Sequence, residues 1–156
     1  MDHEDNHHTL DNLDLRILAA LSKDARQSSR VIAETIGVST GTVYNRIKKL
    51  TERDVIRGYI PLLDHMKVGY VFTVLILIQV EGEHIVKVEK NLATIKEVVA
   101  VYDITGEFDV AVLAKFKSQP SLNNFIKTML KMPYVQRTVT NMVLNTVKED
   151  HRLRFE

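Results

Sequence analysis

Only three residues, Gly37-Val38-Ser39, separate two stretches of helical periodicity, and this spacing constrains the fold of the N-terminal half more than any other feature. The stretch before it carries Val31, Ile32 and Ile36 and opens at Ser28 or Ser29, either of which suits a helix N-cap. Gly37 can take the left-handed conformation in which helices end. Ser39 then caps a longer helix running to about Arg53. An earlier helix is expected from Asp11, with Leu10 placed to pack on Leu15 and with Leu13, Ile17, Leu18 and Leu21 as its apolar stripe. Residues 24–28 connect it to the second. A short helix, a tight glycine turn and a longer basic helix form a helix-turn-helix arrangement, which places the last helix in a DNA groove.

Helical rotation sorts the residues of that last helix. Val43, Ile47 and Leu50 fall on a core face, and Gly41, Asn45, Lys48 and Lys49 on the opposite one, flanked by Thr42 and Tyr44. With Ser39 and Thr40 at its start, this face holds what groove reading needs. Asn45 can pair bidentately with adenine, Thr42 can meet a base edge or a thymine methyl, and the lysines can neutralise phosphates. Gly41 removes bulk where the helix N-terminus approaches DNA. Arg46 lies nearer the core side, suited to holding phosphate or internal structure rather than to reading a base. The same face would also serve as an ordinary solvated surface.

Charge adds a modest argument. The whole chain carries a net charge of only +1, but Arg26 to Ile60 holds seven basic residues against three acids. Such a concentration suits a DNA-facing surface and equally a solvated one.

Beyond the third helix the periodicity changes. Val55 to Pro61 is β-prone and reads as a short wing or strand, and 62–69 as a linker. The second half then alternates: a strand over 70–81, a helix over 84–93, strands over 97–105 and 109–116, a helix over 119–131 and a strand over 134–148. That βαββαβ order is ferredoxin-like, so the chain is read as α+β. The second of these helices is amphipathic through Leu122, Phe125, Ile126, Met129 and Leu130, and Pro133 ends it. In the first strand Phe72, Val74, Ile76 and Ile78 point one way, and Val71, Thr73, Leu75 and Leu77 the other. Helices of this fold cover one face of the sheet. A second apolar face requires another cover, most economically the same sheet of a second copy, which implies a dimer.

Other classes find less support. The chain has 156 residues, 45% of them hydrophobic, and no cysteine, which removes disulfide frameworks and thiolate metal sites. The polar start and the absence of a long apolar run point to a cytoplasmic protein without a membrane segment. His3, His7 and His8 lie in an expected disordered tail over 1–9 and lack a further metal ligand nearby. Phosphate loops, HExxH and serine-elbow motifs are missing, so neither a cofactor nor an enzymatic activity is expected. The remaining constellation is Tyr102 to Asp109 (YDITGEFD), a turn between paired strands with Gly106 where positive φ is needed. It reads as a solvated hairpin tip or as a ligand turn. In the second case Asp109 would meet an ammonium and the N–H groups around Gly106 a carboxylate. Thr138 and Thr140 would add hydroxyls from a neighbouring chain.

Several segments together resemble the Lrp/AsnC (feast/famine) family. They are Leu10 to Asp14, Asp24-Ala25-Arg26, Ile32 to Ser39, Thr42 to Leu50 (TVYNRIKKL) and Val55-Ile56-Arg57-Gly58-Tyr59. The resemblance extends through Thr105-Gly106-Glu107-Phe108-Asp109, Thr138-Val139-Thr140 and Val143 to Lys148. Asp54 departs from the family, which usually has glycine there. The resemblance implies a winged helix-turn-helix over 10–61, a ligand-sensing and assembly (RAM) domain over 70–150, and a C-terminal tail over 151–156. It also implies double-stranded DNA with a pseudo-palindromic operator as partner. Homodimers that assemble to tetramers or octamers are expected, with a free amino acid bound near the turn through Tyr102, Thr105, Gly106, Asp109, Thr138 and Thr140. Two rival readings are a siroheme decarboxylase of the same architecture, resting on His84, His151 and Arg137, and a nucleoid-architectural protein with little sequence preference.

Overall fold

The computed structural model describes residues 9–155, so the three N-terminal histidines lie outside the described residues. The chain groups into two compact units. Of the described residues, one unit comprises 9–61 together with 149–155, and the other runs from Leu62 to Lys148.

The first unit is built on three helices: α1 (Asn12–Lys23), α2 (Ser29–Ile36) and α3 (Thr40–Glu52). Asp11 caps α1 and forms a reciprocal capping box with Asp14, each side chain accepting the other's backbone N–H. Ser28 rather than Ser29 caps α2, accepting from the Val31 N–H. Gly37 ends that helix at φ 73°, a conformation open to glycine because it has no Cβ. Ile17, Leu18, Leu21, Ile32, Ala33, Ile36, Val43, Leu50 and Ile56 form the core, with Leu10, Leu13, Ile47 and Phe155 packed against it. Val31, expected inward, is 46% exposed. Ile32, Ala33 and Ile36 form the inward face of α2 instead. Phe155 places the end of the chain on this core, where a tail had been expected.

Val55 to Pro61, expected as a short wing or strand, forms no strand among the described residues. A ribbon needs a hydrogen-bonding partner, and no strand among the described residues pairs with it. The turn that precedes it is well made. Asp54 adopts φ 56°, and Val55 and Ile56 both donate to the Leu50 carbonyl, at 2.9 and 3.1 Å. Aspartate is among the few side chains that tolerate this backbone region, so it performs the turn that glycine performs elsewhere.

The second unit is a four-stranded antiparallel sheet of β1 (Phe72–Val80), β2 (Val98–Asp103), β3 (Val110–Phe116) and β4 (Val135–Met142), in the order β2-β3-β1-β4. Helices α4 (Ile85–Ala93) and α5 (Gln119–Met129) both pack on one face. The result is the expected α+β, ferredoxin-like arrangement. Val74, Ile76, Ile78 and Val80 of β1, with Val110, Val112, Ala114 and Phe116 of β3, meet Val88 and Leu92 of α4 and Leu122, Phe125 and Met129 of α5. β4 stops at Met142 instead of 148. Val143 still donates to Thr73, but β1 begins at Phe72, so later residues have no strand to pair with. Leu144 and Val147 consequently stand 95% and 92% exposed.

Candidate nucleic-acid interface and ligand turn

The sequence of α3 sorts as its periodicity requires. Val43 and Leu50 are buried and Ile47 half-buried, while Gly41, Tyr44, Asn45, Lys48 and Lys49 are exposed and Thr42 is intermediate. Ser39 accepts from the Thr42 N–H at 3.1 Å, and its hydroxyl also meets the Thr42 hydroxyl at 2.8 Å. The N-terminal turn of α3, with Ser39, Thr40 and Gly41 all exposed, therefore faces solvent. Unpaired N–H groups and the positive end of the helix dipole make such a turn receptive to phosphate. A Cβ on Gly41 would meet nothing nearer than the Ser39 Oγ at 3.9 Å. Internal packing thus does not demand glycine at this position, although glycine weakens a helix interior.

Arg46 follows the internal alternative. Its Nη1 binds the Asp11 carboxylate and lies 3.2 Å from Asp14 Oδ1, with the arginine side chain 35% and the Asp14 side chain 6% exposed. The guanidinium is therefore occupied within the unit, and Arg46 is not a member of the outward set. The Asp14 N–H, followed by the Arg46 guanidinium, holds the Asp11 carboxyl below the usual aspartate range. Sequence reading missed both partners. Asp14 sits at the third helical position after an aspartate N-cap, and this capping-box spacing is the signal that could have marked it.

The surplus of basic residues is smaller in the folded unit than along the chain. Arg26 pairs with Asp24 and Arg30 with Glu34, each at 3.0 Å, Lys48 lies 3.8 Å from Glu52, and Arg46 is taken by α1. Three of those acids, Asp11, Asp14 and Asp24, precede the segment over which charge was counted. On the outward face Lys48 keeps a weak, exposed pair, and Lys49 has no ion pair among the described residues.

The predicted ligand residues are dispersed. The turn after β2 is closed by the Ile104 N–H donating to the Asp109 carbonyl at 2.8 Å, with Gly106 at φ 123°. Asp109 is already engaged. Its N–H donates to Ile78 at 3.0 Å, and its Oδ2 accepts from the Val80 N–H at 2.8 Å, where the β1–β4 register shifts. Thr105 and Gly106 are exposed at the tip. Tyr102 pairs with Ala111 and so shares a face with Leu77. Thr138 and Thr140 pair with Ile78 and Ile76, and so lie on the opposite, helix-covered face. Tyr102 and the two threonines thus occupy opposite edge strands and opposite faces of one sheet. One chain does not bring them together.

The residues of the enzymatic alternative are equally scattered. His84 stacks on Tyr134 at 3.6 Å between centroids, Arg137 pairs with Glu107 at 2.9 Å, and His151 lies 3.9 Å from Glu149.

Comparison with known proteins agrees with this architecture in both units. Residues 10–57 match the winged helix-turn-helix DNA-binding family, and residues 73–153 match the Lrp/AsnC ligand binding domain. The chain is 45% identical over 144 residues to an uncharacterised HTH-type transcriptional regulator of Pyrococcus abyssi (strain GE5 / Orsay), covering 92% of this chain and 98% of that one. It is 35% identical over 145 residues to the HTH-type transcriptional regulator FL11 of the same organism, covering 93% and 96%. Among solved structures, AsnC of E. coli superimposes with a TM-score of 0.81 at 26% identity, over 91% of this chain and 97% of that one. Such coverage spans both units, and the chain is a member of the Lrp/AsnC family of DNA-binding transcriptional regulators.

Proposed function

We propose that α3 enters the major groove and reads a pseudo-palindromic operator. Asn45 pairs with an adenine edge and Lys48 and Lys49 neutralise phosphates, while the turn at Ser39, Thr40 and Gly41 approaches the backbone. The Thr42 hydroxyl already has Ser39 as a partner, so its methyl is the group offered to thymine. Tyr44, 62% exposed, flanks the groove. The observation that carries the reading is the polar outward face of α3 following the left-handed turn at Gly37.

Two such heads are supplied by a homodimer. Leu75, Leu77, Leu113 and Val139 share the sheet face opposite the helices, and the helix-covered core omits all four. Full burial of such a side chain contributes about 1.5–3 kcal/mol, of which a second copy would add the remaining part, since Leu77, Leu113 and Val139 are already half-buried. Dimers that associate into tetramers or octamers bring turns and edge strands of different chains together. Tyr102, Thr105, Gly106 and Asp109 of one chain then meet Thr138 and Thr140 of another around a free amino acid. A regulator of Neisseria meningitidis whose fold this chain shares was solved as a complex with L-Met. The protein acts in the cytoplasm, without catalysis.

Selection of bound genomic fragments, repeated with each of the twenty amino acids, tests this reading. It predicts an enriched two-fold symmetric motif whose occupancy one or more amino acids alter. Enrichment without any motif would favour the architectural reading instead.

A further inference from the structure

The N-terminal turn of α1 reaches both of the other helices in its unit. Arg16 Nη2 donates to the Ile36 carbonyl at 3.0 Å, taking up an acceptor at the C-terminal end of α2. Asp11 and Asp14 together hold the guanidinium of Arg46, which stands midway along α3, and Asp14 is buried while doing so. Asn45 adjoins Arg46 in sequence, and Lys48 and Lys49 follow within one helical turn. Any rotation of α3 about its axis would have to break two charge-assisted contacts and leave the buried Asp14 carboxylate without its cation, held by the Asp11 N–H alone, which is an opposed change.

We propose that Arg46 is a positioning residue that fixes the rotation of the recognition helix against α1, through Asp11 and Asp14, and does not contact DNA. Apolar packing alone leaves this freedom incompletely restrained, because Val43, Ile47 and Leu50 are a narrow stripe that tolerates small rolls. Arg46 Nη1 meets a carboxylate oxygen of each aspartate, and two directional charge-assisted contacts on one nitrogen fix where the guanidinium sits. The inference rests on α3 being the reading helix.

The test compares a duplex selected by the wild type with a random-sequence duplex of equal length, at several salt concentrations. The variants are Arg46→Met, which keeps the stem, and Asp14→Asn, which removes the buried partner without touching the outward face. Both are expected to lower the selected-to-random affinity ratio by about ten- to a hundredfold, the scale of one or two mismatched base pairs. Both should leave the slope of log affinity against log salt unchanged. A slope reduced by about one in Arg46→Met alone would show a phosphate contact and overturn the proposal. So would an unchanged ratio in variants that have merely become less stable, measured well below their melting temperatures. Should Arg46→Met fail to fold, Arg46→Lys and Asp14→Asn carry the same comparison. If the wild type selects no sequence at all, the reading of α3 fails before this proposal is reached.

Discussion

The two units solve the problem of an incomplete surface in opposite ways. In the helical unit the polar groups that could be stranded find partners within the chain. Asp11 and Asp14 hold Arg46, Arg16 takes the Ile36 carbonyl, and side chains cap all three helices. Its outward helix face is polar, as a surface that meets DNA must be. In the sheet unit the helix-covered face is completed by its own residues, but the opposite face presents Leu75, Leu77, Leu113 and Val139 with no helix over them. A helical unit whose polar groups are paired internally and a sheet with one face free of helices are different devices, and under the proposed function mutations should affect them differently.

The largest effect is expected on the platform. Leu75→Lys with Leu77→Lys should convert the assembly to monomers in sedimentation at micromolar concentration, through loss of burial worth several kcal/mol. The helical unit should keep its melting behaviour. A dimer surviving both lysines would remove the distinction between the units. Next comes Ile17→Ala, at a fully buried position of the reading head. It should cost about 2–5 kcal/mol and lower the melting transition of that unit without changing the oligomeric state.

Asp109→Ala should cost about 1–3 kcal/mol, because the Val80 N–H would lose its acceptor. It should also abolish any response to an amino acid. If calorimetry finds stability unchanged while the response disappears, Asp109 serves the ligand alone. A smaller and opposite effect is expected from Gly41→Ala, which should stabilise the helix by about 0.5–1 kcal/mol while weakening DNA binding. Stabilisation without weaker binding would show that the α3 N-terminus stays clear of the backbone.

Acidity provides the mildest contrast. Asp11 and Asp24 are both lowered, chiefly by the Asp14 N–H and by the Arg26 side chain respectively. Their contribution is complete above the ordinary aspartate range and is lost as pH falls below it. Glu89 in the sheet unit is raised by burial and then by Asp103. Its protonated form is favoured by folding, so its contribution declines as pH rises through the raised value. Glu89→Gln should therefore raise the melting temperature near neutral pH, and Asp24→Asn should flatten the loss in acid.

Local rules made much of this legible before any coordinates. The three-residue spacing with Gly37, the serine caps and the stripe of Leu122, Phe125, Ile126 and Met129 depend on residues near one another in sequence, and the structure matches them; Leu130, expected on the same stripe, falls past the helix end and is 59% exposed. What escaped was settled by contacts across long separations. Arg46 meets acids 32 and 35 residues away, and Asp109 meets Val80 over 29. Periodicity placed Arg46 on the core side but could not name what held it. The strand expected to 148 stopped because its neighbour ended, and the expected wing found no partner strand among the described residues. Asp54 shows the converse case, where a residue departing from the family pattern still supplies the required backbone conformation.

The central claim is that the exposed face of α3 reads sequence, and Asn45→Ala tests it most directly in competition between the selected duplex and a random one. The account predicts that specific binding weakens by about 1–3 kcal/mol, that preference relaxes at a single operator position, and that affinity for the random duplex is unchanged. An operator preference identical to that of the wild type would contradict it.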